Sequence, residues 1–155
     1  MAKKPASFEY NATLVRVLDG DTIDCYIDLG FDLKIKKRVR YMGIDTWESR
    51  TRDLEEKFYG KQAKKFLTSL LEETEVQLVV HDKGKFGRII GELFIIQSEN
   101  EGHPVFEVNT EKSVNQLMMD NYHAVPYMGQ SKDDTIKGHM MNRAALNEQG
   151  IKYST

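Results

Sequence analysis

The sequence predicts a small α+β protein in which a five-stranded Greek-key barrel carries three helices. Two observations predict this fold. Five apolar or alternating segments have the length of strands, and the first three follow one another with only short turns between them. A long amphipathic segment interrupts the strands after the third, and two more helical segments follow the fifth. With 155 residues, the chain is long enough for one domain with a substantial core and short for two.

The first three strands are predicted from alternation and from turn residues. Residues 13–18 are apolar with one charge, and Asp19-Gly20 is typical of a turn. Residues 23–29 and 33–41 alternate between apolar and polar side chains, which indicates antiparallel strands with one face toward a core. The polar face of the third strand carries a row of cations, namely Lys34, Lys36, Arg38 and Arg40.

The rest of the chain mixes helices with strands. The pattern predicts a loop over 43–53, a helix over 55–73, strands over 76–80 and 88–96 joined by a loop over 82–87, a short strand over 105–108, and helices over 110–122 and 131–148. Ser131 has the chemistry of an N-cap. Five strands with a helix after the third favour an OB-fold barrel. We expect the domain to span 11–149, with tails over 1–10 and 150–155.

Composition excludes several classes of protein and site. A net charge of −2 indicates no particular partner, so only local clustering of charge can support nucleic-acid binding. The single cysteine, Cys25, excludes an internal disulfide and a zinc site built from cysteines. The N-terminus lacks the apolar region of a signal peptide, and no apolar run is long enough to span a membrane. We therefore expect a cytoplasmic protein without membrane contact, and nothing in the sequence demands an oligomer.

Two aspartates raise the first functional question. Asp21, in V-L-D-G-D-T-I, opens the second predicted strand, and Asp45 follows the third. In a hairpin that turns near Phe31, the start of one strand lies beside the end of the next, so these aspartates are expected to be neighbours. Two adjacent carboxylates repel each other unless a cation or a proton lies between them. The alternative is a pair of solvated loop acids, which is the better explanation for either aspartate alone.

Three further charged residues lie at positions that could complete a phosphodiester-cleaving site. Arg40 is on the polar face of the third strand, Glu48 follows Asp45 in the loop, and Arg88 opens the fifth strand. Each residue also has a simpler explanation. Arg40 would belong to a solvated basic face, Glu48 would cap the following segment, and Arg88 would form an ion pair at the rim. Jointly, oxygen ligands can hold a divalent ion, a carboxylate can take a proton from water, and two guanidinium groups can bind a phosphate.

Taken together, several motifs resemble the staphylococcal nuclease (thermonuclease) family. They are D-G-D-T, R-Y-M-G-I-D-T-W-E, K-F-G-R, E-K-F-Y-G-x-x-A-x-x-F and V-N-Q-L-M, and the similarity extends from Asn11 to about Ala145. The resemblance implies an OB-fold barrel with three helices. It also implies Ca²⁺-dependent hydrolysis of DNA and RNA, preferably single-stranded, that leaves 3′-phosphate ends.

The resemblance also implies roles for individual residues. Asp21 and Asp45 would bind Ca²⁺ through their carboxylates and Thr46 through its backbone carbonyl. Glu48 would orient or deprotonate the attacking water, and Asp19 would orient a water molecule from outside the ligand set. The residues that would contact the substrate are Arg40 and Arg88 at the reacting phosphate, Lys85 and Phe86 at a terminal phosphate, and Tyr127 at a base.

Some positions depart from the family pattern. Trp47 stands where the family often has proline, so the loop before Glu48 would be stiffened by packing, or the indole would stack on a base. Phe86 replaces a tyrosine, and Gly129 replaces a second base-stacking tyrosine. We therefore expect a working centre with weaker or shifted nucleotide affinity. The alternative is a noncatalytic OB-fold module that binds single strands, although such a module has no need for the full set of charged residues.

Overall fold

The computed structural model describes residues 8–72, 75–83, 87–99, 105–108 and 112–154. Its strands are β1 (Phe8–Asp19), β2 (Thr22–Gly30), β3 (Leu33–Tyr41), β4 (Ile44–Asp45), β5 (Glu75–Lys83), β6 (Ile89–Glu99), β7 (Val105–Val108) and β8 (Val125–Pro126). Its helices are α1 (Leu54–Leu71), α2 (Val114–Asp120) and α3 (Lys132–Glu148). The three predicted helices and five main strands are confirmed, although β1 begins earlier and α2 later than predicted.

Five strands close into a barrel. β1, β2 and β3 form the predicted antiparallel meander, β5 pairs with the outer side of β1, and β6 pairs with β5. Closure comes from a parallel pairing of β3 with β6, in which Val39 lies opposite Ile89 and Arg40 opposite Ile90. β7 adds to β6 as a short hairpin partner. The predicted five-stranded barrel with three helices is therefore confirmed, and its closing seam lies beside Arg40.

The segment predicted as a loop over 43–53 contains a short strand. Ile44 and Asp45 form β4, which pairs with β8 so that Asp45 lies opposite Val125. The loop prediction was wrong at these two residues because their partner strand lies about 80 positions later in the chain, where local periodicity gives no signal. The backbone of Asp45 is consequently held by a sheet bond and is not free in a loop.

α1 packs against the barrel and closes the core. Its N-cap is Asp53, whose carboxylate accepts from the backbone N–H groups of Glu55 and Glu56. Cys25 is fully buried, and burial raises the pKa of its thiol to about 12. No helix in the described ranges has the length and apolar composition that crossing a membrane requires. Other fully enclosed side chains are Ile23, Val39, Tyr41, Ile44, Leu67, Leu78, Leu93, Val114 and Met118.

His123 makes stability depend on pH. Its side chain packs against Phe66 with the ring centroids 4.8 Å apart, and its Nδ1 has no hydrogen-bond partner among the described residues. Burial lowers the pKa of His123 from 6.5 to about 4. Between pH 6.5 and pH 4, His123 is therefore protonated in the unfolded chain and neutral in the folded chain. The free energy of unfolding consequently falls as the pH falls from 6.5 toward 4. We expect this residue to contribute a loss of about 3 kcal/mol over that range.

Chemical denaturation of the wild type and of His123→Phe at pH 7.5 and pH 4.5 measures this contribution. The variant should lose less stability on acidification, because phenylalanine keeps the packing and cannot be protonated. His81→Phe is the control, since His81 is exposed. Equal acid sensitivity in the wild type and in His123→Phe would contradict the expectation.

Candidate active site

Two small residues on α1 let two site-bearing segments lie directly on the helix. A Cβ on Gly20 would come within 2.8 Å of the Ala63 Cβ, so the turn between Asp19 and Asp21 rests on α1 at a point where only glycine fits. Gly20 has no positive φ, so it is needed here for close approach and not for an unusual backbone angle. At Gly60, a Cβ would overlap the backbone carbonyl of Glu48.

Gly60→Ala is expected to displace the segment that carries Glu48. The added Cβ would lie 2.7 Å from the backbone nitrogen of Ser49, so either the segment or the helix must move. We expect a loss of about 1–3 kcal/mol, as for other overpacked contacts, although alanine favours helix by about 1 kcal/mol. Thermal melting checks this, with Lys61→Ala on the exposed face of the same helix as control. An unchanged or raised Tm for Gly60→Ala would contradict the expectation.

The two aspartates meet at the barrel rim, as the strand register predicted. Thr22 lies opposite Arg40 in the β2–β3 pair, which brings the start of β2 beside the end of β3. Nη2 of Arg40 lies 3.5 Å from Asp21 Oδ2 and 3.8 Å from Asp45 Oδ1. One cationic group thus reaches both carboxylates. Nη1 of the same guanidinium donates to the Tyr41 carbonyl oxygen at 2.8 Å, which holds its plane in place.

Asp21 is the more enclosed of the two carboxylates. Its Oδ1 accepts from the Thr22 hydroxyl at 2.9 Å, and its Oδ2 accepts from the Thr46 backbone N–H at 3.2 Å. Burial is the main reason why the pKa of Asp21 is raised above its usual value, and Arg40 acts in the opposite direction. The protein therefore keeps a carboxylate where its charge is costly, which is frequent at functional sites.

Within the predicted row of cations, Arg38 binds a carboxylate elsewhere, and Lys34 and Lys36 lie nearer the other end of β3. The guanidinium groups of Arg16 and Arg38 both bind the buried Asp24 carboxylate, at 3.0 and 2.9 Å. Arg40 is therefore the cation of the row that is directed at the carboxylate pair. Arg88 is half-buried and immediately precedes β6, whose first residues pair with the end of β3, so its backbone lies next to the strand end that carries Arg40.

Glu48 is exposed, but both of its sequence neighbours are anchored. On one side, the backbone N–H of Ser49 donates to Asp19 Oδ1 at 3.1 Å, and the Ser49 hydroxyl donates to the same oxygen. On the other side, the Trp47 ring packs against His139, with centroids 4.5 Å apart. Packing of the Trp47 ring thus restrains the backbone before Glu48, as a proline would by restricting φ. The Glu48 side chain projects from a fixed backbone.

α3 contributes residues that sequence reasoning did not assign to the site. Nε2 of His139 lies 2.8 Å from Asp45 Oδ2, and the Arg143 guanidinium lies 4.8 Å from the Trp47 ring centroid. The available signal was the helical spacing of Thr135, His139 and Arg143, which share one face of α3. Periodicity alone could not reveal that this face meets Asp45.

A cavity of about 780 Å³ opens between the Glu48 segment and α3. Asp45, Glu48 and Tyr127 all line it, and Tyr127 is 44% exposed. Among its lining residues, Trp47 and Arg143 carry buried nitrogens without a hydrogen-bond partner in the described part of the chain. The remaining predicted substrate contacts, Lys85 and Phe86, lie outside the described residues.

The donor set fits calcium better than zinc. Across the ranges that the structure describes, no three side chains of the His, Cys, Asp and Glu types cluster as a metal site. An ion would be held by two carboxylates, from Asp21 and Asp45, and by the Thr46 backbone carbonyl. Calcium accepts such oxygen ligands and completes its shell with water, whereas structural zinc sites are typically built from four cysteine or histidine ligands. The Arg40 guanidinium lies within 4 Å of both carboxylates, so the pair already faces one positive group.

Comparison with known proteins identifies the family of this chain. A family model described as staphylococcal nuclease homologue matches residues 38–149, which is more than half of the chain. The chain belongs to this family. The match includes Arg40, Asp45, Glu48 and Arg88, and the resemblance stated from the motifs is confirmed.

Two curated proteins are similar to this member of the staphylococcal nuclease homologue family. Protein ParB of Escherichia coli is 31% identical over 91 residues, which are 59% of this chain and 45% of that protein. Micrococcal nuclease of Shigella flexneri is 31% identical over 90 residues, which are 58% of this chain and 45% of that protein. The matched stretch therefore spans about half the length of each relative. The roles of individual site residues stay predictions.

Proposed function

We propose that this chain is a calcium-dependent nuclease that hydrolyses phosphodiester bonds in DNA and RNA with little preference for sequence or sugar, leaving 3′-phosphate ends. One observation carries the proposal. The Arg40 guanidinium lies within 4 Å of both Asp21 and Asp45 at a rim that also presents Glu48. Membership in the staphylococcal nuclease homologue family, and similarity to a protein named micrococcal nuclease, support the same activity.

In this proposal, Asp21, Asp45 and the Thr46 carbonyl hold the ion. Bound calcium would act as a Lewis acid and polarise the phosphate that is attacked. The carboxylates are well suited to hold it, because the backbone of Asp45 is fixed by β8 and Asp21 accepts two hydrogen bonds.

The chain's own charged groups perform the remaining tasks. Glu48 takes a proton from the attacking water, which is work that a carboxylate in a fixed and accessible segment can do. Arg40 and Arg88 bind the phosphate oxygens, whose negative charge grows toward the transition state, so their contribution to stabilisation is larger there than in the ground state. Asp19 supports Glu48 by binding Ser49, in addition to orienting a water molecule.

We further propose that the substrate is mainly single-stranded and that the chain acts as a monomer. Tyr127 is available for contact with a base at the edge of the cavity, and Lys85 and Phe86 would contact a terminal phosphate. The net charge of −2 gives weak nonspecific attraction to a polyanion, and binding of the phosphates by Arg40 and Arg88 should weaken as salt is added.

Cleavage of labelled single-stranded DNA and of RNA at low salt tests this proposal. The purified chain would be assayed with Ca²⁺, with Mg²⁺ and with a chelator, and product ends would be identified by phosphatase treatment. Cutting that requires Ca²⁺ and leaves 3′-phosphates is the expected result. Nucleic acid that is retarded on a gel but uncut under every condition would refute the nuclease and favour the binding module.

A further inference from the structure

His139 links α3 to one of the two site carboxylates. Its Nε2 lies 2.8 Å from Asp45 Oδ2, and its side chain is only 3% exposed. An ionised carboxylate only accepts hydrogen bonds, so Nε2 carries a proton and donates it to this bond. The contact engages one oxygen of Asp45. The other oxygen, Oδ1, is the one that lies 3.8 Å from Arg40 Nη2 on the side of Asp21.

The imidazole ring is itself held in orientation. It packs against Trp47 with a centroid distance of 4.5 Å and an angle of 34° between the rings. One helical turn later, the Arg143 guanidinium lies over the same indole and donates to Glu55 Oε1 at 2.8 Å, which connects this cluster to α1. Because the ring is enclosed by these neighbours, its Nε2 can be aimed at Asp45 without a large entropic cost.

The backbone of α3 lies close enough to β8 for His139 to reach Asp45. A Cβ on Gly138 would lie 3.0 Å from Val125 Cγ1, so the helix approaches β8 where a side chain is absent. Asn142 donates to the Ala124 carbonyl at 2.9 Å on the same side. Since Val125 also pairs with Asp45, one short strand positions both the carboxylate and the helix that binds it.

We propose that His139 is a positioning residue that holds the Asp45 carboxylate in the orientation facing Asp21, and thereby sets the affinity of this carboxylate pair for a divalent cation. The inference rests on the proposed function for the identity of the ion, and it makes no use of cleavage. Hydrogen-bond partners that orient a metal ligand typically change affinity by about 10–100-fold when they are removed.

Two substitutions separate the hydrogen bond from the packing. His139→Phe keeps a ring against Trp47 and removes the donor, whereas His139→Gln keeps an N–H donor and removes the ring. Calcium affinity is measured by calorimetry, and terbium luminescence provides a second ion probe. We expect His139→Phe to weaken Ca²⁺ binding about 10–100-fold and His139→Gln to recover most of that loss. His81→Phe is the matched control, because the exposed His81 contacts Glu92 at 2.7 Å in another part of the barrel.

Each outcome decides the proposal. Equal Ca²⁺ affinity in the wild type and in His139→Phe overturns it. An equal loss in His139→Phe and in His139→Gln also overturns it, because an N–H donor at this position would then not restore the affinity. A chain that shows the expected order of affinities but cuts no nucleic acid refutes the nuclease and leaves the positioning role in place. A wild type that binds neither ion overturns both. Circular dichroism melts of each variant verify that the fold is intact.

Discussion

Glu48→Gln is expected to lose nearly all cleavage while keeping the fold and the affinity for Ca²⁺. A glutamine has almost the same shape as glutamate but cannot take a proton from water, so the step assigned to a general base should slow by about 10²–10⁴-fold. Glu48 is exposed and its backbone is held through Ser49 and Trp47, so the substitution should leave the Tm unchanged. Single-turnover cleavage at saturating Ca²⁺ measures the chemical step.

Glu56→Gln is the matched control for this experiment. Glu56 lines the same cavity and carries the same charge, but it lies on α1, and the Thr51 hydroxyl donates to it at 3.3 Å. If both variants slowed cleavage equally, the effect would come from the charge of the cavity and not from a specific base. Full cleavage by Glu48→Gln would refute the role assigned to Glu48.

Asp21→Asn is expected to act in opposite directions on function and on stability. It should weaken Ca²⁺ binding by more than about 100-fold, beyond the loss of a supporting hydrogen bond, because a charged ligand is removed. The same substitution should stabilise the ion-free chain by roughly 0.5–2 kcal/mol. A carboxyl whose pKa is raised on folding is destabilising in its charged form at neutral pH. Asparagine can accept the hydrogen bond from the Thr46 N–H through its single oxygen, while its amide N–H donates to the Thr22 hydroxyl oxygen.

Asp24→Asn, three positions further along the chain, should change stability in the opposite direction. The hydrogen bond from Arg38 is the main reason why the pKa of Asp24 is lowered, so its charged form stabilises the fold. Thermal melts in the presence of chelator compare the two variants. Each kcal/mol corresponds to about 2–4 °C in Tm for a chain of this size. A fall in Tm for Asp21→Asn comparable to that for Asp24→Asn would show that the Asp21 charge is not a cost to the fold.

Much of the fold could be read from local pattern. Alternation along residues 23–29 and 33–41 has the period of a strand facing a core, and this period is a property of the backbone itself. The prediction that Asp21 lies near Asp45 depended only on the register of an antiparallel hairpin. The observed pairing of Thr22 with Arg40 agrees with that register. Family motifs then pointed to the residues whose chemistry such a rim could use.

Other features were beyond local reasoning because they join distant parts of the chain. The pairing of Asp45 with Val125 and the hydrogen bond from His139 to Asp45 connect residues separated by 80 and 94 positions. Gly60 illustrates the same limit. Its sequence context indicates helix, but its reason for being glycine is the Glu48 backbone that lies against it.

The sequence by itself thus determined the strand and helix types, the chemistry of the rim and the meeting of two carboxylates, because these follow from periodicity, side-chain type and short-range register. The tertiary structure alone decided how the site is held: which residues flank Glu48, which oxygen of Asp45 is engaged, and how α3 closes over Trp47. The physical reason is that orientation depends on close packing between segments far apart in the chain, and such contacts leave no period in the sequence.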